Sequence, residues 1–219
     1  MILLCLCTAH AFGLATVAYG QGSAPWVGET LDHLPCDGGM QGFGPYDYTR
    51  RLANPKELWV VEYYHFTAND ENLIETPGRS VEGGLNYTLR AWPNHAKALM
   101  SIIRFQLEIN KKLRAGKLTT PPECYLQRAI HFSPKDITSY SLYGYYLKKL
   151  GRLEEAATFY EKAIKINPEN SKIAYSYGSL LIDLKRYDEA VNYAKIAYRN
   201  PHAPKELKQK LEKLDAWKE

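Results

Sequence analysis

Beyond residue 20 the sequence has no apolar run long enough to cross a membrane, and residues 2–19 contain no Asp, Glu, Lys or Arg. The first absence excludes a polytopic membrane protein; the second sets the opening segment apart from the rest. A strong charge imbalance is also missing. The 28 basic and 24 acidic side chains leave a net +4 over 219 residues, too mild and too interspersed for a nucleic-acid surface. Catalytic signatures are absent as well: there is no H-E-x-x-H and no G-x-S-x-G, and the glycine-rich stretch 38–44 lacks a P-loop ending. His33 and Cys36 have an H-x-x-C spacing, but no second pair accompanies them, which argues against zinc. What remains, at 45% hydrophobic and 24% charged, is neither disordered nor collagen-like. It is a chain able to bury a core in one domain or two small ones.

The uncharged opening is rich in Ile2, Leu3, Leu4, Leu6, Phe12, Leu14 and Val17, and ends in the small-x-small pattern Ala18-Tyr19-Gly20. This reads as a secretory signal peptide over residues 1–20, although it lacks a basic n-region; a retained membrane anchor and a buried helix are the alternatives. The mature chain is then exported and, in a bacterium, periplasmic. Cys5 and Cys7 leave with the signal. Cys36 and Cys124 remain, and an oxidising compartment lets them form one disulfide, with two separate buried thiols as the alternative.

Residues 21–93 form an irregular N-terminal region, punctuated by Gly38, Gly39, Gly42, Gly44, Pro45, Pro77, Gly78, Gly83 and Gly84. Its one strongly apolar run, Leu58 to Phe66, follows Asn54-Pro55, a helix-start signal that favours helix over strand. Asn86-Tyr87-Thr88 matches an N-glycosylation sequon, relevant only in a eukaryote.

The second half is helical. Ala98, Leu99, Ile102, Phe105, Ile109 and Leu113 form a stripe of period 3.6, begun by an Asn94 cap and stopped at Gly116. Thr120-Pro121-Pro122-Glu123 reads as a capping box, Tyr125, Leu126, Ala129 and Ile130 as an apolar face, and Asp136 as a further cap. Residues 94–135 then form a degenerate first hairpin. Residues 137–170 and 171–203 align on each other: Tyr143-Gly144 with Tyr177-Gly178, Leu147 with Leu181, Ala156 with Ala190, Ala163 with Ala197. Residues 204–219 supply a capping helix with Leu207, Leu211, Leu214 and Trp217 inward, Lys205, Lys208, Lys210 and Lys213 outward, and a Glu206–Lys210 pair.

These two units resemble the tetratricopeptide repeat family. Tyr140, Tyr143-Gly144, Leu147, Ala156, Tyr160, Ala163 and Pro168 match its pattern, whereas Ala174, Ala194 and the early Pro201 depart from it in the second unit. The resemblance implies a mainly α fold, a short α-solenoid of two clear repeats, one degenerate hairpin and a capping helix. It also implies a concave groove that holds a peptide or a partner's helix. Carried over position by position, that groove is Thr138, Ser141, Tyr145, Lys148 and Lys149, then Lys172, Tyr175, Ser179, Ile182 and Asp183. The segments 44–48, 61–66 and 86–99 are similar to exported bacterial tetratricopeptide proteins, which implies no activity.

The expected function is therefore a protein–protein interaction scaffold or adaptor of the cell envelope, not an enzyme and without a cofactor. Its partner is a protein or peptide, not a nucleic acid, and not a membrane unless residues 2–19 are retained. The alternative is a metal-dependent or hydrolytic accessory enzyme using Glu62, His65 and His95, since Glu-x-x-His on a helix can supply metal ligands. The competing account of those residues, with Arg90, is a structural polar network and helix caps.

Overall fold

The computed structural model describes residues 22–217. The signal-peptide reading, with Cys5 and Cys7, lies outside the described residues. A 3₁₀ turn, Tyr48–Ala53, leads through Asn54 into α1 (Pro55–His65), where proline occupies the first helical turn and needs no intrahelical donor. A short α2 (Ala68–Glu71) and α3 (Val81–Ala91) follow, so the glycine-punctuated stretch carries helices between its turns. Then come α4 (Ala96–Asn110), α5 (Pro122–Phe132), α6 (Ile137–Lys149), α7 (Leu153–Ile166), α8 (Ser171–Asp183), α9 (Tyr187–Ala197) and α10 (Glu206–Lys213). Among the described residues no strand forms; two isolated bridges, Glu29 with Pro35 and Thr76 with Arg79, close local turns.

Helices α6 with α7, and α8 with α9, are antiparallel hairpins, and α7 packs on α8 to stack them. This is a short tetratricopeptide-type α-solenoid. Local chemistry repeats with the units. Asp136 caps α6 by accepting from the Thr138 N–H at 3.0 Å, and Asn170 caps α8 by accepting from that of Ile173 at 3.0 Å. At the hairpin bends Gly151 and Lys185 hold φ of 79° and 60°, a left-handed conformation that costs a lysine roughly 1 kcal/mol more than a glycine. After each bend an arginine forks onto a glutamate one turn on: Arg152 to Glu155, Arg186 to Glu189. A Cβ on Gly144 would lie 2.8 Å from the buried Tyr160 ring, and one on Gly178 3.1 Å from Leu207. Gly144 therefore fixes how closely α6 and α7 cross, and Gly178 how closely α10 seats on α8.

One apolar core runs from Phe66 through α3, α4 and the repeats to Leu211 under α10. A smaller cluster of Tyr46, Val61, Ala91 and Trp92 seats α1 on α3. The structure joins Cys36 to Cys124, the first turn of α5, in a disulfide. Among the described residues no helix is long and apolar enough to cross a membrane.

Several local expectations change. Helix α4 ends at Asn110 because Lys112 turns left-handed at φ 58°, which leaves Leu113 74% exposed instead of on the stripe. His95, not Asn94, caps α4: its Nδ1 accepts from the Ala98 N–H at 3.1 Å. The capping box does not form at α5. The Thr120 hydroxyl donates to the Asp37 carbonyl, and Glu123 accepts from the Leu31 N–H, so both hold the N-terminal segment. At α10 the chain leaves the helix after Lys213, and Leu214 is exposed while Trp217 folds back towards Tyr198. The ion pair there joins Lys208 to Glu212, and Glu206 faces the Tyr175 hydroxyl. The Asn86 amide of the sequon donates to the Tyr125 hydroxyl at 2.6 Å and to the Gly38 carbonyl at 3.4 Å, and glycosylation would take one of these two hydrogens.

Candidate functional site

The inner helices α4, α6 and α8 line one side of the stack, and the residues expected there are not all placed alike. Lys148, Ser179 and Asp183 are engaged with one another: the Lys148 ammonium donates to Ser179 Oγ at 3.0 Å and to Asp183 at 2.9 Å, tying α6 to α8. Their polar atoms serve the groove floor. Tyr145, Lys149, Lys172 and Tyr175 line two clefts. In the first, about 220 Å³, Tyr145 and Lys149 of α6 face Arg104, Leu107 and Glu108 of α4 and Lys111 just beyond it, with the Lys149 ammonium 5.4 Å above the Tyr145 ring. In the second, about 310 Å³, Lys172 and Tyr175 of α8 face Asn200, His202 and Pro204. Burial, and then the nearby Glu206 charge, push the Tyr175 hydroxyl up. Thr138 is exposed at the start of α6, Ser141 is half-buried, and Ile182 packs against the core.

Arg104, Leu107 and Glu108 carry the first cleft onto α4, and Lys111, just past its end, completes that wall. The sequence does not signal them, because α4 carries no repeat signature to set its register.

The N-terminal polar cluster is built differently from the ligand set its sequence suggests. Glu62 and His95 do meet, at 3.1 Å, but His65 turns away and stacks on Tyr87 with ring centroids 3.6 Å apart. His95 is fully buried between the Tyr48 and Phe66 rings. Its Nδ1 accepts the cap bond, so Nε2 carries the proton and donates to Glu62. Both ring nitrogens are thereby occupied. Among the described residues no three His, Cys, Asp or Glu side chains are grouped to hold a metal ion. Arg90 donates to the Met40 carbonyl and lies over the Tyr87 ring. His33, 86% exposed, pairs with Glu29, and Cys36 is in the disulfide.

Asn94 serves the same network. Its amide donates to Asp47 and Asp136, and its oxygen accepts from the Tyr48 N–H at 2.8 Å. Burial works to raise the Asp47 carboxyl, but hydrogen bonds from Thr49, Asn94 and Ser133 outweigh it and hold the pKa below its usual value. The bond from His95 does the same for Glu62. Both folded values are depressed, so the unfolded chain binds protons more readily, and stability is full above about pH 5 and is lost as pH falls below about 4. Denaturation midpoints measured against pH should show that acid limb. Asp47→Asn should lower the neutral midpoint and flatten the limb; an unchanged limb would refute the assignment.

Residues 122–195, which span α5 to most of α9, match the family model described as "Anaphase-promoting complex, cyclosome, subunit 3", a tetratricopeptide-type repeat family. Over these residues the chain is thus similar to tetratricopeptide-type repeats, and such repeats support a role as a protein-interaction scaffold. Among solved structures, a "Crystal structure of MamA" is 21% identical with a TM-score of 0.45, covering 75% of this chain and 86% of that one. A "Crystal structure of MamA protein" is 22% identical with a TM-score of 0.45, covering 74% and 79%. No curated protein matches the chain in sequence.

Proposed function

We propose that this protein is an interaction scaffold of the cell envelope that holds a peptide or a partner's helix in the groove of α4, α6 and α8. The observation that carries this reading is the pair of clefts, each pairing a half-buried tyrosine with an exposed lysine: Tyr145 with Lys149, and Tyr175 with Lys172. A tyrosine offers contact area at small entropic cost, and the adjacent ammonium suits an acidic group on an extended partner. The envelope location draws on the uncharged residues 2–19 and on the disulfide, which is consistent with an oxidising compartment.

The test is affinity capture from envelope fractions with the wild-type chain and with the Tyr145→Ala/Tyr175→Ala variant, together with N-terminal sequencing of the mature chain. Loss of two such anchors should weaken partner binding by roughly a hundredfold while leaving helicity unchanged. Equal capture by both proteins would discard the groove.

A further inference from the structure

Helix α1 displays its apolar side chains to solvent. Val61 is fully buried and Leu58 packs on the small core cluster, but Trp59, Val60, Tyr63 and Tyr64 are 57%, 39%, 60% and 56% exposed. At about 100° per residue, Trp59, Tyr63, Lys56, Val60 and Tyr64 fall in one continuous arc. The three rings pack on one another: Trp59 stacks on Tyr63 at 5.0 Å, and Tyr64 stands edge-on to Tyr63 at 4.9 Å. Scattered exposed apolar residues need no explanation, whereas a clustered face on one helix does.

Charge selects the occupant. Lys56 sits within the arc, and the turn that feeds the helix adds Arg50, Arg51 and Leu52, all exposed, Leu52 at 87%. The two acids of α1 are half-buried and flank the arc on its two sides. Glu62 is bonded to His95, with Arg51 near enough to help hold its carboxyl down, and Glu57 lies close enough to push the Tyr46 hydroxyl up, after burial. The outward arc therefore carries aromatic and aliphatic side chains with positive charge and no acid.

We propose that this face seats on an anionic lipid surface, with α1 lying in the plane of the headgroups. Tryptophan and tyrosine are the residues that settle at the membrane–water boundary, and basic side chains beside them are attracted to anionic lipid. Charge also argues against a second copy of this chain as the occupant. In a two-fold pairing of α1 faces, parallel or antiparallel, Lys56 of each copy would meet no acid on its partner's arc. The surface is separate from the repeat groove, so either can exist without the other.

The test is co-sedimentation of the full chain with vesicles of phosphatidylcholine alone and of an equal mixture with phosphatidylglycerol. Partition should favour the anionic vesicles. Replacing Arg50, Arg51 and Lys56 with Gln should reduce it about a hundredfold, three basic side chains each contributing roughly fivefold. Trp59→Ser/Tyr63→Ser/Tyr64→Ser should reduce it roughly tenfold or more, with circular dichroism unchanged because all three are exposed. Brominated lipid should quench the wild-type tryptophan emission more than that of Trp59→Phe. Absence of binding, equal binding to both vesicles, or binding unaffected by either variant would overturn the proposal. So would a dimer that the aromatic variant dissolves without any vesicle binding.

Discussion

Reduction of the Cys36–Cys124 bridge should lower the thermal midpoint by about 10–15 °C, the largest loss available from a single bond in this chain. The two cysteines are 88 residues apart, and a loop of that length removes about 4–5 kcal/mol of entropy from the unfolded chain. At about 2–4 °C per kcal/mol for a protein of this size, the shift follows. The bond also has a local task. Around it, Gln127 donates to the Glu29 carbonyl, Glu123 accepts from Leu31, and the Thr120 hydroxyl donates to Asp37. Each of these contacts joins the N-terminal segment to the first turns of α5 or the residues just before it. Without the bridge these exchangeable bonds must hold an irregular segment by themselves. Cys36→Ser/Cys124→Ser should match the reduced protein in midpoint and admit protease between residues 22 and 47 first. A midpoint indifferent to reductant would contradict this account.

The second large effect is expected at Arg128. Its side chain, 1% exposed, is buried under the N-terminal segment, and all its observed hydrogen-bond acceptors are uncharged. The guanidinium donates to the carbonyls of Ala24 and Leu89 at 2.7 Å, to Gln41 Oε1 at 2.5 Å, and more weakly to the carbonyl of Arg90; the Trp26 ring lies 4.8 Å away. Burial pushes its pKa down to about 10, so the charge persists at neutral pH. A planar fork can address three chain segments in three directions, and a point-like ammonium cannot. Arg128→Leu recovers the desolvation cost of the charge but leaves several buried acceptors unpaired, at about 1–3 kcal/mol each. The net loss should be about 2–4 kcal/mol, read as a shift in denaturant midpoint, and Arg128→Lys should lose nearly as much. Full stability in the lysine variant would show that charge alone suffices there.

Arg128 also shows where sequence reading runs out. Within Tyr125-Leu126-Gln127-Arg128-Ala129-Ile130 it looks like a solvent-facing break in an apolar stripe, because its partners lie up to 104 residues away. The repeats were legible for the opposite reason. Gly144 and Gly178 must be small where two helices cross, Ala156 and Ala190 likewise, and that requirement is written into positions that recur. The cap of α6, Asp136, lies within one helical turn of its partner and was legible too. Thr120 and Glu123 had the composition of a local cap but were recruited by segments far away in sequence. The end of α4 was hidden because Lys112 enters the left-handed region with no glycine to announce it. The groove was readable where a signature sets the register, on α6 and α8, and unreadable on α4. The aromatic arc of α1 looked like core by composition, and only the packing of Val61 shows which way the helix faces.

The two ends of the stack are fastened unequally. At the front, a covalent bond, the Arg128 fork and several side-chain bonds gather residues 24–41 over α5. At the back, an eight-residue helix closes the array with two buried leucines, Leu207 and Leu211. In a linear array each unit leans only on its neighbours, so opening propagates from whichever end yields first. This gives the molecule a mechanical polarity. Pulled or threaded from its C-terminus it unravels helix by helix, α10 before α9 before α8. Drawn from the N-terminal side, residues before Cys36 yield first, and the bridge then shields residues 37–123 from the pull until it is cut. A protease or unfoldase would thus experience one polypeptide as two different substrates, according to the end at which it begins.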